Sequence, residues 1–156
     1  MNHDQTDHPG VLIRPPRLYL GALIAGVALH YLWPLGSIDR GLRFGLGPVL
    51  VVAGLGLAVL AMRRFARAGT NVPTPLPATA LVTGGIYRYS RNPIYVGLSA
   101  LYLGLALIAG SAWALILLIP VLLIMRTGVI GREERYLQAK FGADYDRYRA
   151  QVRRWI

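Results

Sequence analysis

Two adjacent carboxylates, Glu133 and Glu134, and a stretch rich in glycine, tyrosine and arginine, Gly84 to Gly97, are the parts of this chain best equipped for chemistry. Within that stretch Asn92 followed by Pro93 makes a good helix start, with amide donors pointing back toward the preceding loop. A helix N-terminus flanked by Arg88 and Arg91 suits an anionic group such as a carboxylate or a phosphate. Glu133 and Glu134 suit a cation or an amine, so a site built from both segments holds groups of both signs. Each feature also has an ordinary reading. Arg88 and Arg91 serve equally well as basic residues at a membrane face, and Tyr87, Tyr89 and Tyr95 as an interfacial aromatic belt. The glutamates serve equally well as a solvated helix face paired with Arg132 and Arg135.

The rest of the composition narrows what can hold such a site. The chain has 156 residues, 54% of them hydrophobic, with a formal charge of +10. A soluble nucleic-acid binder carries such charge but not around long uncharged apolar runs, and a disordered basic tail lacks the apolar residues altogether. An integral membrane protein remains, its basic residues at lipid headgroups and cytoplasmic loops. Cysteine is absent, which excludes disulfides and thiolate sites, and His3, His8 and His30 make a catalytic metal centre a poor expectation. The polar leader, residues 1–17, carries Asp4 and Asp7 and no basic start, so the first apolar segment is expected to be a permanent span rather than a cleaved signal.

Apolar runs predict spans at about 18–33, 44–62, 93–109 and 111–126. The last two come from one uncharged stretch, Asn92 to Met125, broken by Ala109, Gly110 and Ser111 into a tight helical hairpin. With four spans, 15 Lys and Arg residues share one side and only Arg40 and Arg43 the other, whereas three spans split them 7 to 10. The positive-inside rule favours four, with both termini cytoplasmic in an inner-membrane protein. Gly41 and Gly45 read as a helix-packing pair. The connection from Arg63 to Asn92 is rich in turn formers, among them Gly69, Thr70, Asn71, Pro73, Pro75 and Pro77. Beyond Thr127, Glu133, Leu137 and Phe141 follow a four-residue step, and Tyr145, Tyr148 and Val152 continue at helical spacing after a break at Gly142. The expected fold is therefore all-α: one membrane domain, 18–156, of four transmembrane helices with amphipathic cytosolic helices over 129–156.

The run Gly85-Ile86-Tyr87-Arg88-Tyr89-Ser90-Arg91-Asn92-Pro93-Ile94-Tyr95-Val96-Gly97, then Glu133-Glu134-Arg135-Tyr136-Leu137, then Phe141-Gly142-Ala143-Asp144-Tyr145 and Tyr148, resembles the isoprenylcysteine carboxyl methyltransferase and phospholipid methyltransferase superfamily. The shared pattern is Gly-x-Tyr, Arg-His-Pro-x-Tyr-x-Gly and Glu-Glu-x-x-Leu, spread over Thr79 to Ile156. The resemblance implies an integral membrane enzyme that binds S-adenosyl-L-methionine at the cytosolic interface and methylates an acceptor arriving from the lipid. By position it implies a cofactor site of Gly85, Tyr87, Arg88, Arg91, Asn92, Pro93, Tyr95, Gly97, Glu133 and Glu134. Arg91 and the two glutamates form the catalytic edge, and Tyr145, Tyr148 and Arg88 contact the acceptor. Asn92 departs from the family histidine; it can hydrogen-bond but cannot carry a proton near neutral pH.

The acceptor implied first is a phospholipid amine, the phosphatidylethanolamine headgroup, because four spans in so small a chain look like the phospholipid branch. A prenylcysteine or other small amphiphile with a carboxylate is the alternative. An ammonium must lose a proton before attack, and Glu133 or Glu134 is the available base; a carboxylate needs none, and Arg88 or Arg91 would position it. A four-span transporter is disfavoured because the spans contain no Asp or Glu, and a non-catalytic scaffold would gain no stability from the cofactor. Neither metal nor nucleic acid is an expected partner, and the oligomeric state is left open.

Overall fold

The computed structural model describes residues 10–11, 13–72 and 77–156; most of the expected polar leader, and Pro73 and Pro75 of the turn-rich connection, lie outside them. Among the described residues there are six α-helices and no strand: α1 (Pro15–Leu32), α2 (Gly47–Arg67), α3 (Pro93–Ala109), α4 (Ala112–Ile124), α5 (Gly131–Phe141) and α6 (Ala143–Gln151). Pro15 and Pro16 open α1 where a missing N–H costs nothing. Asp39 Oδ1 accepts from the amides of Gly41 and Leu42 at 2.7 and 3.2 Å, nucleating a wide π turn, Leu42–Leu46, that leads into α2. Gly110, at φ 70°, ends α3, and Ser111 starts α4 by accepting from the amide of Ala114. The expected hairpin break is thus found at the expected residues.

Two helical stretches, Leu42–Arg67 and Ala112–Phe141, are long and apolar enough to cross a membrane, and α3 is a shorter apolar helix. α1, whose 18 residues include Arg17 and His30, is not among them. Large apolar side chains such as Leu20, Ile24, Val52, Val49, Ile119 and Leu123 are exposed on α1, α2 and α4, as lipid-facing surfaces require.

The packing is close because backbones meet through glycine. A Cβ on Gly54 of α2 would lie 2.5 Å from the Leu101 amide nitrogen and 2.6 Å from the Gly97 carbonyl of α3. Gly47 and Gly104 make the same kind of contact two turns away, so α2 and α3 lie against each other along their length. Gly26 of α1 meets Ala114 of α4 in the same way. The sequence expectation of Gly41 and Gly45 as the packing pair is corrected: Gly45 has nothing within 4 Å, and the small-residue ridge lies a few residues further on, at Gly47 and Gly54. Interhelical hydrogen bonds complete the bundle, Tyr19 hydroxyl with Ser99 at 2.8 Å, Ser111 to the Gly26 carbonyl at 2.8 Å and Tyr102 to the Ala114 carbonyl at 2.8 Å.

The fourth expected span and the interfacial helix do not separate near residue 127. They form one helix, α4 running through a π segment, Met125–Ile130, into α5. A regular helix turns about 100° per residue, so each four-residue step overshoots a turn by roughly 40°. Val121, Met125, Val129 and Glu133 keep such steps and all remain buried, because the wider π turn absorbs the overshoot. The helix after Gly142, at φ 50°, is shorter than expected; α6 ends at Gln151 and residues 152–156 run out of helix beside the start of α3.

Gly54→Ala is expected to cost about 1–3 kcal/mol, since the added methyl meets backbone that cannot yield without separating α2 from α3. Gly56→Ala on the exposed face of the same helix, where nothing lies within 4 Å, is expected to be neutral or slightly stabilising. Thermal melting of the two variants in the same detergent measures the contrast.

Candidate functional site

The π segment delivers Glu133 and Glu134 into the first turn of α5 with both side chains buried, at 5% and 8% residue exposure. Their partners are not Arg132 and Arg135. Glu133 Oε1 accepts from the Tyr95 hydroxyl of α3 at 2.6 Å. Glu134 accepts from two guanidinium groups: Arg91 Nη2 on Oε1 at 2.8 Å, and Arg154 by Nε on Oε1 at 3.0 Å and Nη2 on Oε2 at 2.5 Å. Two neighbouring carboxylates are therefore differentiated by environment. Glu134 is held by two guanidinium groups, whereas Glu133 accepts from a tyrosine hydroxyl.

The segment after α6 is stitched to the start of α3. Arg91 donates its amide to the Arg153 carbonyl at 3.0 Å and Nη1 to the Arg149 carbonyl at 3.3 Å. Asn92 caps α3 without a side-chain bond to the helix; its amide group donates instead to the Arg154 carbonyl at 2.9 Å. The residue that replaces the family histidine is thus occupied in holding backbone. Arg91 Nε is buried and has no hydrogen-bond partner.

These groups line one cavity with Tyr87, Tyr145, Tyr148, Phe65 and Leu137, closed on another side by Ala78, Ala80, Leu81 and Val82. The open space among them is about 60 Å³, room for a few waters. Tyr148 donates to the Tyr87 carbonyl at 2.7 Å, and Phe65 meets the Tyr87 ring edge-on at 5.3 Å between centroids. Burial pushes the Tyr145 hydroxyl up from 10.0 to about 12, with Glu134 adding to the rise and Arg91, Arg149 and Arg154 opposing it. Burial likewise raises Tyr87 and Tyr148 above the usual tyrosine range. The result is an aromatic, largely apolar chamber with carboxylate and guanidinium groups on one wall. Such a chamber offers faces for a planar ring, a carboxylate for an amine and a buried N–H for an anion.

Of the residues singled out in the sequence, Tyr87, Arg91, Asn92, Tyr95, Glu133, Glu134, Tyr145 and Tyr148 come together around the cavity. Four do not line it. Arg88 is exposed on the 3₁₀ turn Gly85–Arg88. Gly85 makes the positive-φ turn beside the Arg64 guanidinium, where a Cβ would lie 2.4 Å from Nε. Pro93 starts α3, and Gly97 faces Gly54 in the α2 contact. Sequence reasoning missed Arg154, which resembles every other basic residue of the tail, and the apolar wall from Phe65 to Val82, which carries no motif. Among the described residues no group of His, Asp and Glu could hold a metal ion.

Known proteins share parts of this chain. A sequence model of the phospholipid methyltransferase family matches residues 42–144, which include the cavity-lining residues from Phe65 to Leu137. The chain is 40% identical over 72 residues to a protein-S-isoprenylcysteine O-methyltransferase from Schizosaccharomyces pombe, 46% of this chain but 30% of that protein. It is 38% identical over 63 residues, 40% of its length, to an uncharacterised protein from Haemophilus influenzae that is covered completely. No solved structure matches the chain.

The tyrosine environment has a measurable consequence. A hydroxyl whose pKa rises on folding binds its proton more tightly in the native state, so its stabilising contribution is complete below about pH 10 and is lost as pH climbs toward about 12. The protein is expected to lose thermal stability over that window, and Tyr145→Phe to lose less of it; melting temperatures across the alkaline range test this.

Proposed function

Because the chain belongs to the phospholipid methyltransferase family, we propose that it is an integral membrane methyltransferase that uses S-adenosyl-L-methionine to methylate a lipid amine, the phosphatidylethanolamine headgroup first among acceptors. The observation that carries the reading is the pairing of a Tyr95-bound Glu133 with an Arg91–Glu134–Arg154 cluster on the wall of an aromatic cavity. The helix arrangement proposed with it is four spans, α1, α2, α3 and α4, with both termini, α5 and α6 on the cytoplasmic side. Its support is the distribution of basic residues, 15 on one side against 2.

The donor set suits the cofactor. Its adenine and ribose need aromatic and polar walls, which Tyr87, Tyr145, Tyr148 and Phe65 provide; its amino-acid carboxylate needs a cation, which Arg91 provides. The cofactor is larger than the present space, so binding displaces side chains of the wall. When bound, it supplies a methyl group on a cationic sulfur, ready for in-line displacement.

The chain's own contribution is alignment, desolvation and proton removal. An ammonium reaching the cavity loses its proton to Glu133, because both oxygens of Glu134 are already engaged by the guanidinium groups of Arg91 and Arg154. The Tyr95 hydroxyl at 2.6 Å fixes the Glu133 carboxylate while leaving its charge to the incoming amine. The tyrosine and apolar walls keep water from competing for the methyl group.

The isoprenylcysteine alternative has its own support, the 40% identity to the yeast enzyme. A carboxylate acceptor needs no base, and this separates the two readings. With radiolabelled cofactor and purified protein, label is expected in phosphatidylethanolamine and not in a prenylcysteine. Glu133→Gln is expected to slow amine methylation by about 10²–10⁴-fold while cofactor binding persists. Label appearing only in the prenylcysteine, with Glu133→Gln near full rate, would establish the alternative instead.

A further inference from the structure

We propose that Arg154 is a positioning residue of the cofactor site: by bridging both oxygens of Glu134 it keeps the Arg91 Nε–H free for the carboxylate of an amino-acid-bearing ligand. The inference rests on the methyltransferase reading above and goes beyond it by assigning recognition of one end of the cofactor to a pair of arginines with separate duties.

Arg91 has three side-chain nitrogens and two are committed, Nη1 to the Arg149 carbonyl and Nη2 to Glu134 Oε1. Nε is buried and unpartnered although the Arg91 side chain is only 9% exposed and lines the cavity. A buried N–H without an acceptor is costly, and an incoming carboxylate recovers that cost. The question is why Glu134, one bond away, does not take it. A carboxylate facing one arginine prefers two parallel hydrogen bonds, and the Nε and Nη2 edge of Arg91 would offer them. Arg154 prevents this by covering both Glu134 oxygens, with Nε on Oε1 at 3.0 Å and Nη2 on Oε2 at 2.5 Å.

The charges support the same division. Two guanidinium groups share one carboxylate at Glu134, so Glu134 neutralises only one of them, and Glu134 accounts for the elevated pKa of Arg154. Backbone bonds hold the segment independently of the Arg154 side chain, because Arg91 and Asn92 reach the Arg153 and Arg154 carbonyls. A change confined to the Arg154 side chain therefore releases Glu134 without releasing the tail.

Two ligands with the same nucleoside test the idea: S-adenosylhomocysteine, which carries the amino-acid carboxylate, and 5′-methylthioadenosine, which lacks it. Calorimetric titration of the full chain in detergent is expected to give a loss of about tenfold in S-adenosylhomocysteine affinity for R154Q, with methylthioadenosine affinity unchanged. R154K keeps the charge but not the two-oxygen bridge, and is expected to give the same split at smaller amplitude; it carries the test if R154Q does not fold. Equal losses for both ligands, or no loss for either, would overturn the assignment. Failure of the unaltered protein to bind either nucleoside would instead overturn the methyltransferase reading on which it stands.

Discussion

A buried carboxylate cannot be left with fewer partners than its charge demands, and Glu134 is where that rule shapes the cavity-bearing half of the molecule. Its two oxygens draw in Arg91 from the start of α3 and Arg154 from the segment beyond α6, so three stretches distant in sequence meet at one point. Removing a single partner from such a cluster strands a charge in a poorly solvated place, which costs far more than any one of these bonds contributes in water. The tail residues 149–154 consequently back the lining residues Arg91, Asn92 and Glu134. The cavity beside them inherits fixed cations, and the buried tyrosines around it keep their protons.

That cluster can exist only if α3 and α5 are held in fixed relation, and the membrane-type packing below it does this. Glycine contacts between α2 and α3 and between α1 and α4 let backbones approach where Leu or Val would hold them apart. The Tyr19–Ser99 bond and the Ser99 bond to the Tyr95 carbonyl tie α1 and α3 at the level of the residue that holds Glu133. Helix packing and site geometry are thus linked through Tyr95, whose backbone serves one and whose hydroxyl serves the other.

Much of this was legible in the residues. The Gly110–Ser111 break, the helix start at Pro93 and the break at Gly142 follow from local rules of turn chemistry, and all appear. Most of the motif tyrosines, with Arg91 and Asn92, also gather around one cavity. What could not be read was which partner each charged group takes. Glu134 bonds to residues 43 and 20 positions away, and no periodicity relates them. Arg88 and Arg91 are alike in sequence, yet one is exposed on a 3₁₀ turn and the other is buried by the tail. Gly97, which the motif offers to the cofactor, serves helix contact instead: a Cβ there would lie 2.8 Å from the Gly54 carbonyl and 3.0 Å from the Ala58 amide nitrogen of α2.

The wide turn at Met125–Ile130 constrains how this sequence can vary. The cavity residues of α5 are coupled to those of α4 by an unbroken helix, so their angular phase is set by a count of residues rather than by a loop that could absorb change. Deleting one residue there would swing Glu133 and Glu134 by about 100° around the helix axis and detach them from Tyr95 and Arg91. The stretch is therefore a ruler of fixed length: substitutions that preserve apolar bulk are compatible with it, and insertions or deletions are not.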